Sequence, residues 1–275
     1  MPVVVVTDAS ARLPADLLEK WSIRVVPLHI LLDGVDLRDG VDEIPEDVYQ
    51  RHATSAAATP AELADAYQQA LADSDGDGVV AVHISSALSG TYGAAARTAS
   101  DLDPKVRVVD SKSAAMGTGF VALAAARAAS AGADLDGVAA AANSAVSRSH
   151  AFMVVHRLDN LRRSGRIGGA QAWLGTALAL KPLLCIDDGK LVLAQRVRTV
   201  SHATEVMIDR VCEVVGDGSA ALAVHHVANQ DGAEQVAAAL AQRLPACEPA
   251  IITPLGPVLA LHAGAGAVAV CLQLA

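Results

Sequence analysis

VHISSALSGTYGAAARTA, residues 82–99, reads as an apolar strand that runs into hydroxyls and a glycine, then directly into a helix. A strand feeding a helix through so short a turn is the unit of a parallel sheet covered by helices. The turn also gathers Ser85, Ser86, Ser89 and Thr91 at one helix N-terminus. Such a terminus carries unpaired N–H donors and about half a positive charge, which suits a carboxylate or a phosphate. A plain helix cap is the competing reading, since Ser and Thr favour that position anyway. The hydroxyls exceed what one cap requires, and no G-x-S-x-G frame marks a hydrolase nucleophile.

On either side the alternation continues. Val3–Val6 is a buried strand type that ends in Thr7-Asp8-Ala9-Ser10, with a helix starting near Pro14. Arg24–Leu32 is expected as one strand, and Ile44-Pro45-Glu46-Asp47 is expected to open a helix. Thr59 is a natural N-cap for the next helix, leaving Thr54-Ser55 in a loop between the two. Val106–Asp110 is a strand, followed by helices from Gly117 and over Asp134–Ser147. Residues 1–149 therefore read as an α/β domain, a mostly parallel sheet with helices on both faces.

From residue 150 the pattern changes. Ala151–Val155 is a strand, Leu158–Ser164 a short helix and Ser164–Gly169 a glycine turn. Lys181–Ile186 and Lys190–Ala194 flank Asp187-Asp188-Gly189, a strong hairpin signal. Helices over Ser201–Val215 and Gly232–Arg243 alternate with strands at Ala220–His225 and Ala267–Leu272. Residues 150–275 read as a separate α+β domain.

The chain has 275 residues, 52% hydrophobic but only 3% aromatic, so its core must be built from Ala, Val, Leu and Ile. A net charge of −9 argues against nucleic acid as a partner. Four scattered cysteines without a C-x-x-C pair, and no signal-peptide pattern, suit a reducing cytoplasmic setting. Leu255–Ala275 is long and apolar, but Pro257, its glycines and His262 favour a buried strand–turn–strand over an integral membrane segment. His225 and His226 are adjacent on a strand and point to opposite faces, so no metal site is expected there. Asp8 ends the first strand, where ligands of open α/β sheets bind, yet an Asp capping its own turn explains it as well. Arg162, Arg163 and Arg166 read as a solvated or partner-facing surface.

Several of these pieces occur in an order that resembles the DegV family of fatty-acid-binding proteins, which includes the lipid-carrying subunits of bacterial fatty acid kinase. Thr7-Asp8-Ala9-Ser10 resembles its opening, and Ile84–Tyr92 resembles its SSxLSGTY motif. Val109–Ser113 resembles its DSKS element, Leu158–Ile167 its LxxLxxGGRI segment with Ser164 for the first glycine, and Gly256–Gly266 its PVxxxHxGxG tail. The resemblance implies a fatty acid held between two domains, with no catalytic residues and no cofactor. It implies carboxylate contacts from Thr54, Ser89 and His262. Thr59, Ser86, Gly90 and Arg166 are further candidates, and Thr59 is an alternative to Thr54 because the local TSQP pattern is not kept. Arg198 matches a surface arginine used for docking on the kinase catalytic subunit. About 15 buried methylenes, each worth roughly 0.8 kcal/mol, would then set affinity, while the polar groups select an acid end. A serine-dependent acyl hydrolase using Asp8, Ser89 and His262, or a sensor of another lipid, are the rival readings.

Overall fold

The structure, a computed structural model, describes residues 3–167 and 181–275. β1 (Val4–Asp8), β2 (Arg24–Val26), β6 (Val79–His83) and β7 (Val106–Asp110) form a parallel sheet in the order β2-β1-β6-β7. Strand alternation divides its side chains. Val80, Val82 and Val109 join one core with α4 (Met116–Ser130) and α5 (Leu135–Val146). Val79, Ala81 and Val106 join another with α2 (Pro60–Asp73) and α3 (Thr91–Leu102). The short α1 (Ala15–Lys20) follows β1.

A six-stranded sheet, β10-β9-β8-β13-β11-β12, holds β8 (Ser149–Val154), β9 (Lys181–Asp187), β10 (Lys190–Val197), β11 (Ala220–His226), β12 (Ile251–Pro254) and β13 (Val268–Leu274). It is antiparallel except for the β11–β12 pair. α7 (Val200–Val215) and α8 (Gln230–Arg243) cover one of its faces. α6 (Asp159–Ser164) and α9 (Pro257–Ala263) lie in the connections.

α4 packs against both sheets, touching β1 and β6 on one side and β8 and β13 on the other. From Met116 to Ala126 it is buried on nearly every side, as such a position demands. Close approach comes from glycine: a Cβ on Gly119 would lie 2.8 Å from the Ala11 carbonyl oxygen. The Ala-rich, aromatic-poor composition is thus what lets one helix serve two sheets.

Four local expectations are corrected. The strand expected over Arg24–Leu32 is broken at Pro27-Leu28, and its second part is β3 (His29–Leu32) of a different sheet. Proline lacks the N–H that would continue the ladder. Ile44–Asp47 opens no α-helix; only a 3₁₀ turn at Val48–Gln50 follows. Thr54-Ser55 is not a loop but lies in β5 (Ala53–Ala56), which pairs with β3 beside β4 (Val35–Arg38) in an antiparallel sheet. The tail is not strand–turn–strand: Pro257 starts α9, and β13 follows after Gly264 and Gly266, both at positive φ. Among the described residues no helix is long and apolar enough to cross a membrane. The hairpin turn at Asp188-Gly189 has both residues at positive φ, as its sequence predicts. Gly168 and Gly169 of the expected glycine turn lie outside the described residues.

Candidate functional site

The loop after β6 is organised by Ser85, whose carbonyl accepts from the Leu88 and Ser89 amides at 3.0 Å each. That single turn sets Ser89 at the start of α3, where Gly90 occupies the cap position without a side-chain cap bond. Ser89 Oγ accepts from the Thr91 amide at 3.2 Å and lies 2.9 Å from Thr91 Oγ1. Facing it across the gap, α9 presents His262 and β5 presents Ser55, with 2.8 Å between His262 Nε2 and Ser55 Oγ. Arg166 spans the rim, its Nε donating to the Leu88 carbonyl at 3.4 Å.

Ser55, Ser89, Arg166 and His262 line a cavity of about 150 Å³ beside the six-stranded sheet. The remainder of the lining is apolar, with Ala115, Ala151, Ile186, Leu191, Leu255 and Ala269 among it. The six-stranded sheet supplies the floor. On β8 and β13, Ala151, Ala269 and Cys271 face the cavity, and their small size leaves the room.

Burial pushes the His262 imidazole down to about 4, and the Arg166 charge adds to the effect. The ring is therefore neutral near pH 7. Nε2 shares one hydrogen bond with Ser55 Oγ, and Nδ1 is a buried atom with no hydrogen-bond partner among the described residues.

Of the residues singled out from sequence, Ser89, Gly90, Arg166 and His262 line this cavity together. Thr54 does not. β5 alternates, so Thr54 lies beside Leu31 on the outer, exposed face while Ser55 faces inward. The hydroxyl next to His262 is thus that of Ser55, a residue the sequence reading passed over because it had no strand there. Thr59 is occupied elsewhere, forming a capping box with Glu62 at the start of α2. Ser86 is exposed, and its amide donates to Asp110. Arg198 is exposed and is not among the cavity-lining residues; it stands one residue before the Thr199 cap of α7.

Asp8 is fully buried and accepts from the Ile84 amide at 2.9 Å, from Ser10, and from His83 Nδ1 at 3.0 Å. Burial would raise its pKa, but the His83, Ser10 and Ile84 bonds outweigh burial and hold it below the usual carboxylate range. Tyr67 completes the chain at 2.8 Å from His83 Nε2. Neither Tyr67 nor His83 was singled out, since each occupies a core position of its element and looks like packing. Asp8 is bonded to His83, and His262 Nε2 to Ser55 Oγ, so these contacts do not link Asp8, Ser89 and His262 as a hydrolase triad. His225 is likewise engaged: Nε2 accepts from the Met116 amide at 3.1 Å, and Nδ1 meets Thr253 Oγ1 at 2.9 Å. Among the described residues no cluster of three His, Cys, Asp or Glu side chains is arranged to hold a metal ion.

The family model described as "Uncharacterised protein, DegV family" matches residues 2–274. The chain belongs to the DegV family. A DegV domain-containing protein of Mycobacterium tuberculosis is 75% identical over 274 residues, covering 100% of this chain and 98% of the relative. One from Streptomyces coelicolor is 38% identical over 269 residues, covering 96% and 95%. Among solved structures, a fatty-acid-binding DegV family protein from Thermus thermophilus matches with a TM-score of 0.90 at 32% identity, covering 100% of both chains. DegV from Bacillus subtilis, described as a fatty acid binding protein, also gives 0.90 at 27% identity over 100% of both chains. The mixed α/β architecture of the chain is that of these DegV structures.

Proposed function

We propose that this protein binds a long-chain fatty acid in the cavity and carries it as a non-catalytic subunit. Ser55, Ser89 and His262 hold the carboxylate beneath Arg166, and the acyl chain lies along Ala151, Ala269 and Cys271. The observation that carries this reading is an apolar cavity whose only polar side-chain lining, among the described residues, is Ser55, Ser89, Arg166 and His262. The fatty acid binding described for the Thermus thermophilus and Bacillus subtilis relatives supports it. A carboxylate loses several kcal/mol on burial, roughly what two donors, one from Ser89 and one from the Ser55–His262 pair, and a helix N-terminus return. Neutral hydroxyl and imidazole donors hold the head group without trapping it as a buried ion pair, which suits a ligand that must be passed on. The carrier reading extends to an ATP-dependent fatty acid kinase subunit that docks at Arg198 and phosphorylates the carboxylate in the cytoplasm.

Native mass spectrometry of the purified protein, before and after adding saturated acids of about 14 to 20 carbons, tests the central claim. A complex of one acid per chain is expected; no bound acid in either sample would end the proposal. With a fatty acid kinase subunit and ATP present, Arg198→Ala should slow acyl phosphate formation while leaving the acid bound.

A further inference from the structure

Neither the DSKS element nor the first serine of the SSxLSGTY motif is among the residues that line the cavity, yet both meet the tip of the β9–β10 hairpin. Ser85 is fully buried, and its hydroxyl donates to the Gly189 carbonyl at 2.7 Å. Lys112 Nζ donates to Asp188 at 2.6 Å. The fit is close: a Cβ on Gly189 would lie 2.5 Å from Ser85 Oγ. Lys112 and Asp188 both hold a left-handed backbone, φ 47° and 43°, conformations that cost energy for a side-chain-bearing residue.

The two partners in this contact matter to the ligand. Ser85 is the same residue whose carbonyl fixes the turn carrying Ser89. The hairpin carries Ile186 and Leu191, a cross-strand pair whose side chains form one wall of the cavity. A bridge from Ile167 to Leu191 ties this wall to the segment that bears Arg166.

We infer that Ser85, Lys112, Asp188 and Gly189 form a latch: they are positioning residues that hold the β9–β10 hairpin against the Ser89 loop and so govern how fast a bound acyl chain is released. Unlatching swings Ile186 and Leu191 away and opens the acyl part of the cavity, while Ser55 and His262, on β5 and α9, keep their own contact. The latch thereby separates retention of the tail from recognition of the head group. Ser85 links the two, since its backbone serves Ser89 and its side chain serves the hairpin.

Charge exchange tests this. Release of cis-parinaric acid to phosphatidylcholine vesicles would be timed for Lys112→Glu, Asp188→Lys and the double exchange, alongside Ser85→Ala. Each single charge change is expected to speed release about threefold, and Ser85→Ala about fivefold. The double exchange should return the rate to near that of the original protein, an outcome that general loosening of the fold would not give. The release measurement rests on the fatty acid reading. Amide exchange at Ile186 and Leu191 in the ligand-free protein does not, and it should quicken in the single variants and recover in the double one. Unchanged hairpin exchange in the single variants, or a double variant as fast as the singles, would overturn the latch. Failure of the unaltered protein to bind cis-parinaric acid, with exchange behaving as expected, would instead strike the fatty acid reading alone.

Discussion

On β13, Val268, Val270 and Leu272 point toward α7 and α8, whereas Ala269 and Cys271 point toward the cavity and α4. The same seven residues therefore build a closed core on one side and an open space on the other. Both faces are apolar, so hydrophobicity does not distinguish them; side-chain size does. Large residues on the helix side pack into a closed core, while small ones opposite leave room that no atom of the described residues fills. A binding cavity of this kind is encoded as a pattern of small residues, not as a motif.

The sharpest way to break the comparison is to change size on each face separately. Leu272→Ala, on the closed face, should lower stability by about 2–5 kcal/mol in urea denaturation, with fatty acid affinity largely retained by the folded fraction. Ala269→Leu, on the open face, should do the reverse. Its three added carbons take the place of about three ligand methylenes at roughly 0.8 kcal/mol each, a loss of about fiftyfold in affinity with little change in the unfolding midpoint. If Ala269→Leu instead destabilised the fold as much as Leu272→Ala, the two faces would be equally packed and the cavity argument would fail.

Titration sharpens the same contrast, because His225 and His262 are both buried beneath the open face of the sheet or beside it. Burial depresses them to about 3 and about 4 from 6.5. Their folded values lie below the unfolded one, so the unfolded chain binds more protons within that window. Stability should then fall as pH drops from 6.5 toward 4, by about 1.4 kcal/mol per pH unit for each ring at full effect. His29 acts oppositely: burial lowers its pKa, but Glu62 and Asp36 outweigh burial and raise it. Its contribution is present below the unfolded value and lost as pH rises through the folded one. The decisive readout is therefore the difference between the original protein and His262→Gln, whose pH slope should be the shallower.

The smallest expected effects separate two neighbouring hydroxyls. Ser55→Ala should weaken fatty acid binding about fivefold by calorimetry. Thr54→Ala, on the exposed face of β5, should change neither affinity nor stability by more than about 0.5 kcal/mol. Equal losses at both positions would mean that β5 does not hold the register seen here.

Much of the architecture was readable because it depends on local pattern. The Val3–Val6 and Val79–Ile84 runs are buried strands by type, Thr59 and Asp134 are caps by chemistry, and Asp188-Gly189 is a turn by its tolerance of positive φ. The failures share a cause. Pro27 breaks an apparently continuous strand only because its two halves join different sheets. β5 carries Ala53-Thr54-Ser55-Ala56, a composition with no strand signal, and exists because β3 offers it a partner. Tyr67 and His83 looked like packing because their hydrogen bonds run across 16 and 75 residues of sequence to each other and to Asp8.

The order of the elements, the parallel sheet and the hydroxyl-bearing turn before α3 follow from the chain's own periodicity and turn chemistry, which act over a few residues. Which hydroxyl meets His262, which sheet face stays open and what Ser85 and Lys112 hold were decided by tertiary packing. A strand's two faces are interchangeable in sequence until a neighbour on one side fixes the phase, and side-chain size becomes empty space only when the opposing surface is in place.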